Sequence, residues 1–309
     1  MKLAAGAAIL YFAWTSISLK PNQIVHYLLG AGGLFYGSIA LFALFLMLQA
    51  AIWVSILNSF AGKQLTLRAG LLVYINSQFA KYIPGGIWNY AGRVMLASRE
   101  GARMEAQLSA IVYENILLVA AAAVYALALT MYLSILPMYV LYLFGGLLLA
   151  FFLGYKQLSK WMRESLFLVI RKFPLRRVRE LADKYGEVTL QLGRGAFFLH
   201  LLYFLASHMV MGAAFWLLIQ SFDLPQVNLW YAAGTFASSW MLGLMSPLPG
   251  GIGVREGFLV YFLSFHAPAS VAAQISIIAR IWNLLAEALF FLIMNALHYL
   301  AKRVNRHVS

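Results

Sequence analysis

The chain lacks cysteine altogether and is poor in charge: of 309 residues only 11% are charged, and only 10 are acidic. Without cysteine there is no disulfide, no thiolate metal site and no cysteine nucleophile. With so few charges the chain cannot cover a water-facing surface of this size, since soluble domains carry about 25% charged residues. That excludes a soluble enzyme, a soluble nucleic-acid-binding domain and a disordered chain. What is present points one way. Hydrophobic residues make up 63% and aromatics 15%. Long unbroken apolar blocks, such as 117–129 and 141–153, lack the alternation of a membrane barrel strand. The sequence is that of an all-α polytopic membrane protein.

Apolar blocks of spanning length fall at 3–19, 31–57, 105–130, 135–155, 196–220, 229–248 and 272–300, and two shorter or interrupted ones at 69–98 and 252–268. This predicts about 6–8 transmembrane helices in a single membrane domain over 1–309. Its parts are an N-terminal half (1–155), a basic loop (156–194), a C-terminal half (195–300) and a basic tail (301–309). The first block resembles a signal peptide but has no convincing cleavage site, and is read as a helix.

The net charge of +13 comes from 23 Lys and Arg. Ten basic residues lie between Lys156 and Arg194, and Lys302, Arg303 and Arg306 mark the tail. Basic loops stay on the cytoplasmic side, so both termini and the loop are expected there, in the cytoplasmic (inner) membrane. Lys63 and Arg68 before segment 69–98, and Arg99 and Arg103 after it, fall on that same side. A segment with both flanks on one side enters and leaves by one face. Its middle, Pro84-Gly85-Gly86, breaks a helix and predicts a re-entrant hairpin near 69–98. A second break, Pro247-Leu248-Pro249-Gly250-Gly251, lies near 229–268, where the charges allow either a hairpin entered from the other side or two full spans. Two broken segments entering from opposite faces are the pattern of an inverted repeat with a site at the midplane.

Seven ionisable residues lie at membrane depth: Lys81, Arg93, Glu114, Arg255, Glu256, Arg280 and Glu287. Each costs at least about 2.5 kcal/mol on insertion scales and requires a reason. One reason is a polar cavity in which Arg and Lys hold an anionic lipid headgroup, with Glu114 and Glu256 as counter-charges or proton carriers. The other is packing: Arg93–Glu114, Arg255–Glu256 and Arg280–Glu287 as buried pairs. Arg280 and Glu287 are seven apart, hence on one helix face, with Asn283 between them. Asn89 lies just past the first break. His200 and His208 have no neighbouring carboxylate, so no metal site is expected. No nucleotide-binding loop occurs.

The stretch Asn76 to Gly86, followed by Arg93 and by Glu114-Asn115, is similar to the first motif block of a flippase-like membrane family. That family includes the transmembrane region of lysylphosphatidylglycerol synthase/flippase proteins. The run Pro247-Leu248-Pro249-Gly250-Gly251-Ile252-Gly253-Val254-Arg255-Glu256-Gly257 resembles its second block, and Arg280 resembles the arginine of its final helix. The likeness runs from about residue 30 to 295. It implies translocation of an anionic lipid. It also implies a substrate-binding set of Lys81, Pro84, Gly85, Gly86, Asn89, Arg93, Glu114, Pro247, Pro249, Gly250, Gly251, Gly253, Arg255, Glu256, Arg280, Asn283 and Glu287. The family often has Glu-Arg where this chain has Glu114-Asn115. The 309 residues hold no soluble aminoacyl-transferring domain, so aminoacylation is not expected. The expectation is therefore a transporter with no catalytic residue and no cofactor. Its partners would be membrane lipids, a second copy of the chain, or proteins of envelope-lipid synthesis, and not nucleic acid. The alternatives are a membrane transferase acting on a lipid carrier and a non-catalytic scaffold of an envelope-lipid pathway.

Overall fold

The structure, a computed structural model, describes residues 30–82, 88–135, 137–155, 157, 160–161, 191–244, 251 and 253–308. Among the described residues all regular structure is helical. In chain order the helices are α1 (Gly33–Ala61), α2 (Leu67–Gln78), α3 (Trp88–Arg99), α4 (Met104–Tyr132), α5 (Tyr139–Leu153), α6 (Arg194–Gln220), α7 (Leu229–Leu244), α8 (Val254–Leu263) and α9 (Ala269–Val308), with a 3-10 turn at Phe79–Tyr82 after α2. Among the described residues four stretches are long and apolar enough to cross a membrane: Gly33–Phe60, Met104–Tyr132, Arg194–Gln220 and Ala269–Ala301. The chain is thus a multi-pass membrane protein in its architecture.

Within the described residues the remaining helices are shorter. In block 229–248, α7 is described over 16 residues, about 24 Å of helix. Block 135–155 yields α5, with 15 residues. The helices α2 and α3 have 12 residues each, and α8 has 10. The expected helix at 3–19 lies outside the described residues, as do most of the basic loop and most of both Pro-Gly breaks.

Local chemistry fixes where the helices stop. α1 ends at Gly62, whose φ of 73° suits a residue without a Cβ. Asn58 then holds the turn: its Nδ2 donates to the Leu65 carbonyl at 2.9 Å, and its Oδ1 accepts the Gln64 and Leu65 N–H groups at 2.8 and 3.0 Å. Thr66 caps α2 by accepting the Ala69 N–H at 3.2 Å.

Two apolar cores lie at successive levels along the four long helices. The first gathers Phe35 and Phe42 of α1, Tyr125 and Leu129 of α4, Met211 to Leu218 of α6, the inner faces of α7 and α8, and Ala272 to Ala286 of α9. The second gathers Trp53, Ile56 and Leu57 of α1, Val73 to Ile75 of α2, Ala97 of α3, Ala106 to Leu117 of α4, Phe197 and Phe204 of α6, and Phe290 and Met294 of α9. So α1 and α9 run from the first core to the second, and α4 and α6 run the other way. The α2–α3 pair belongs to the second core, and the α7–α8 pair to the first. The contacts repeat between halves: α2 packs on α1 and α9 with α3 on α4, while α7 packs on α6 and α4 with α8 on α9. Even the loops repeat. Gln64 Oε1 accepts the Arg103 N–H at 3.1 Å at one end, and Gln226 Nε2 donates to the His266 carbonyl at 2.7 Å at the other. α5 stands apart, with Tyr142, Leu143, Leu147 and Leu153 exposed, as suits a helix facing lipid tails.

Candidate functional site

The membrane-depth charges divide into a sealed pair and an open face. The sealed pair joins α3 to α4. Arg93 Nη1 donates to Glu114 Oε2 at 2.5 Å, and their side chains are only 2% and 4% exposed. Aromatic rings close around the guanidinium: Tyr74 at 4.0 Å, Trp53 at 5.1 Å and Tyr90 at 5.6 Å from ring centroids. The Tyr90 hydroxyl donates to Asn115 Oδ1 at 2.7 Å, and Asn89 is buried beside it. Rings and ion pair together knot α1, α2, α3 and α4. Of the pairs expected from packing, this one forms. The rings were not singled out in the sequence, though Tyr90 stands three residues before Arg93, on the same helix face.

The other two expected pairs form differently. Arg255 does not take Glu256, and Arg280 does not take Glu287. Seven residues along α9 separate Arg280 and Glu287 by about 10 Å of rise, and each finds a partner from a different short-helix pair. Lys81, in the 3-10 turn after α2, donates to Glu287 Oε1. Arg280 Nε donates to Glu256 Oε1 at 2.6 Å. The second oxygen of Glu256 accepts the Gly253 N–H at 2.7 Å, which caps α8. Ser276 Oγ adds a bond to the Glu256 carbonyl at 3.3 Å. Arg255 stands over the Phe236 ring at 4.8 Å, a cation–π contact.

This second group is reachable. Lys81 is 33% exposed and Arg280 38%, against 1% for Glu287 and 19% for Glu256. Asn283 is half-buried on the same face of α9. One helix therefore presents Arg280, Asn283 and Glu287 in a row, with one broken segment ending near each charged end. Two accessible cations can donate hydrogen bonds to the oxygens of a phosphate, and their carboxylate partners can take them back when it leaves.

Gly251 and Gly243 bring the second broken segment to close quarters. Gly251 has φ +66°, and a Cβ there would meet the Gly243 carbonyl oxygen at 2.7 Å. Of the remaining site residues expected from sequence, Gly253 caps α8, while Pro84, Gly85, Gly86, Pro247, Pro249 and Gly250 lie outside the described residues. The two histidines face structure. His200 Nδ1 lies 2.6 Å from the Ala196 carbonyl and its Nε2 lies 2.9 Å from Ser55 Oγ. His208 lies 2.8 Å from the Phe204 carbonyl and stacks on Tyr125.

No curated protein matches the sequence. A family model, that of the lysylphosphatidylglycerol synthase TM region, matches residues 1–290. The match takes in both breaks, the Arg93–Glu114 pair and the polar face of α9. By this match over nearly its whole length, the chain belongs to the family of lysylphosphatidylglycerol synthase transmembrane regions.

Proposed function

We propose that the protein is a lipid flippase of the cytoplasmic membrane: it moves an anionic lipid headgroup across the bilayer through the polar face of α9 while the tails stay in the hydrocarbon. The supporting observation is the pair Lys81 and Arg280. They come from opposite broken segments or their partner helix, lie on one face, and are each about a third exposed at a depth where an exposed cation is costly. In this proposal Lys81 and Arg280 bind the headgroup, Asn283 adds a neutral donor, and Glu256 and Glu287 hold the cations between cycles. Arg93 and Glu114 serve as a packing knot.

The proposal includes the inverted repeat expected from the sequence. Helices α1 to α4 would correspond to α6 to α9, with α2–α3 and α7–α8 as re-entrant hairpins. It is supported by the opposite run of α1 against α6 and of α4 against α9, and by the matching contacts of the two short pairs. Each hairpin would gate one face, giving alternating access to the α9 face. The protein then acts as a transporter without a catalytic residue, with both termini on the cytoplasmic side.

The test is flipping of fluorescent phosphatidylglycerol in proteoliposomes, comparing the protein with Lys81→Gln and Arg280→Gln. The pair involving Arg280 is partly exposed and is worth at most about 1 kcal/mol of stability, so Arg280→Gln should fold. Flipping by the protein and its loss in both variants supports the proposal. Flipping that is equal in all three, or absent from the folded protein, refutes it.

A further inference from the structure

Serines in these helices commonly turn the hydroxyl back to a carbonyl three or four residues earlier: Ser38 to Phe35 at 2.6 Å, Ser77 to Tyr74 at 2.7 Å, Ser207 to Phe204 at 2.8 Å and Ser264 to Val260 at 2.7 Å. Ser238 and Ser239 of α7 do not. Both are buried, Ser239 completely, yet neither Oγ has a hydrogen-bond partner. A buried hydroxyl without a partner costs free energy, so this conformation holds the two at a loss. Their position shows what they face. Tyr231, Thr235, Ser239 and Gly243 recur every fourth residue along one face of α7. That face meets α8 at both ends: the Tyr231 hydroxyl donates to the Phe262 carbonyl, and a Cβ on Gly243 would meet the Arg255 Cβ at 3.0 Å. Ser239 therefore lies in the seam between α7 and α8, and Ser238, seven residues after Tyr231, borders it. At the same level α8 carries Phe258 and Leu259, whose side chains have no hydrogen-bonding group.

Of the two helices, α7 is the more firmly held. Its Gly234 lies against the Tyr125 carbonyl and Leu129 of α4, and Gly212 of α6 lies against its Ala233, close helix approaches of the kind small residues permit. α8 is fastened at its start by Glu256 to Arg280, the contact that a headgroup contests in the function proposed above. Resting on that function, we propose that α8 moves off α7 during transport, and that Ser238 and Ser239 then line the headgroup path and donate hydrogen bonds to its phosphate oxygens. A seam that is polar on one side and apolar on the other suits a gate with two states. Closed, the hydroxyls face hydrocarbon; open, they face the headgroup and the water that comes with it. Their unmet hydrogen bonds raise the closed state relative to the open one and keep the gate from locking shut.

The experiment uses the full chain in proteoliposomes of phosphatidylglycerol and phosphatidylcholine. Ser239→Cys and Ser207→Cys each place one thiol in a chain that has none, at two sites of equal burial. Ser207 accepts from Gln49 Nε2 at 2.9 Å in the seam between α1 and α6, which the proposal leaves closed. A water-soluble methanethiosulfonate added on both sides should label Ser239→Cys at least about tenfold faster than Ser207→Cys. The double variant Ser238→Ala with Ser239→Ala should melt higher by about 2 °C, since it removes the unmet hydroxyls. The same variant should flip fluorescent phosphatidylglycerol about tenfold more slowly, the weight of one hydrogen bond to a charged group. A rise in stability joined to a loss of transport is what a merely structural role does not give. Equal labelling of the two thiols overturns the opening of α8 from α7. A lower melting temperature in the double variant shows the hydroxyls satisfied in the closed state and overturns the proposal, as does a higher one with flipping unchanged. These three outcomes leave the flippase reading standing. Labelling of Ser239→Cys in a protein that flips no phosphatidylglycerol strikes that reading, and the headgroup contacts with it.

Discussion

Lys81 and Glu287 form an ion pair across 206 positions of sequence, tying the turn after α2 to the middle of α9. The lysine belongs to the first half of the chain and the glutamate to the second. Among the described residues, the other two ion pairs each stay within one half: Arg93 with Glu114, and Arg280 with Glu256. The two halves thus meet electrostatically at Lys81 and Glu287.

Lys81→Met should lower thermal stability in detergent, because it takes an ammonium from a carboxylate that is 1% exposed. The expected loss is about 2 kcal/mol, below the 3–5 kcal/mol of a fully buried pair because the lysine is partly screened. The exchange Lys81→Glu with Glu287→Lys should recover part of it. A double variant no more stable than the single one would show that the two are not partners.

Arg93→Met alone should cost about 3–5 kcal/mol, since it strands Glu114 in an aromatic enclosure. The double change Arg93→Met with Glu114→Leu should restore most of the melting temperature, because well-packed apolar groups often replace a buried pair at little cost. Flipping should survive in the double variant if the pair is a packing knot. A stable double variant that no longer flips phosphatidylglycerol would move the pair into the transport site.

The sequence made much of this legible, for identifiable reasons. Helices α1, α4, α6 and α9 announced themselves because no proline and no glycine pair breaks their apolar runs. The seven membrane-depth charges stood out because each is costly there. Their pairing did not follow. Neighbours in sequence such as Arg255 and Glu256, or residues on one helix face such as Arg280 and Glu287, looked like natural partners. Tertiary packing gave both glutamates other cations, because the two short-helix pairs converge on α9 from different levels. The division into a sealed pair and an open face was equally hidden, since burial of Arg93 depends on Trp53 and Tyr74, which lie 40 and 19 positions away.

Gly251→Ala should destabilise the α7–α8 unit more than Gly253→Ala. Both glycines have positive φ, which costs an alanine about 1–2 kcal/mol. A Cβ on Gly253 meets open space, whereas one on Gly251 runs into the Gly243 backbone. Circular dichroism melts of the two variants give the comparison. Equal melting temperatures would show that the approach of Gly251 to Gly243 is looser than described.

The absence of cysteine makes single-thiol labelling clean. A cysteine at Gln64 and one at Gln226 should label from opposite sides of the membrane in oriented vesicles, Gln64 from the cytoplasmic side. These residues close equivalent loops at opposite ends of the long helices. Labelling of both from one side would end the inverted arrangement.

Glu256 has two tasks, one for each oxygen: it caps α8 through Gly253 and holds Arg280. On the function proposed above, a headgroup that draws Arg280 away would change the charge balance at the first turn of α8. The acid freed from its arginine would keep its bond to the Gly253 N–H at the start of α8. Arg280 and the first turn of α8 are thus joined through a single carboxylate, so a change at either end is felt at the other.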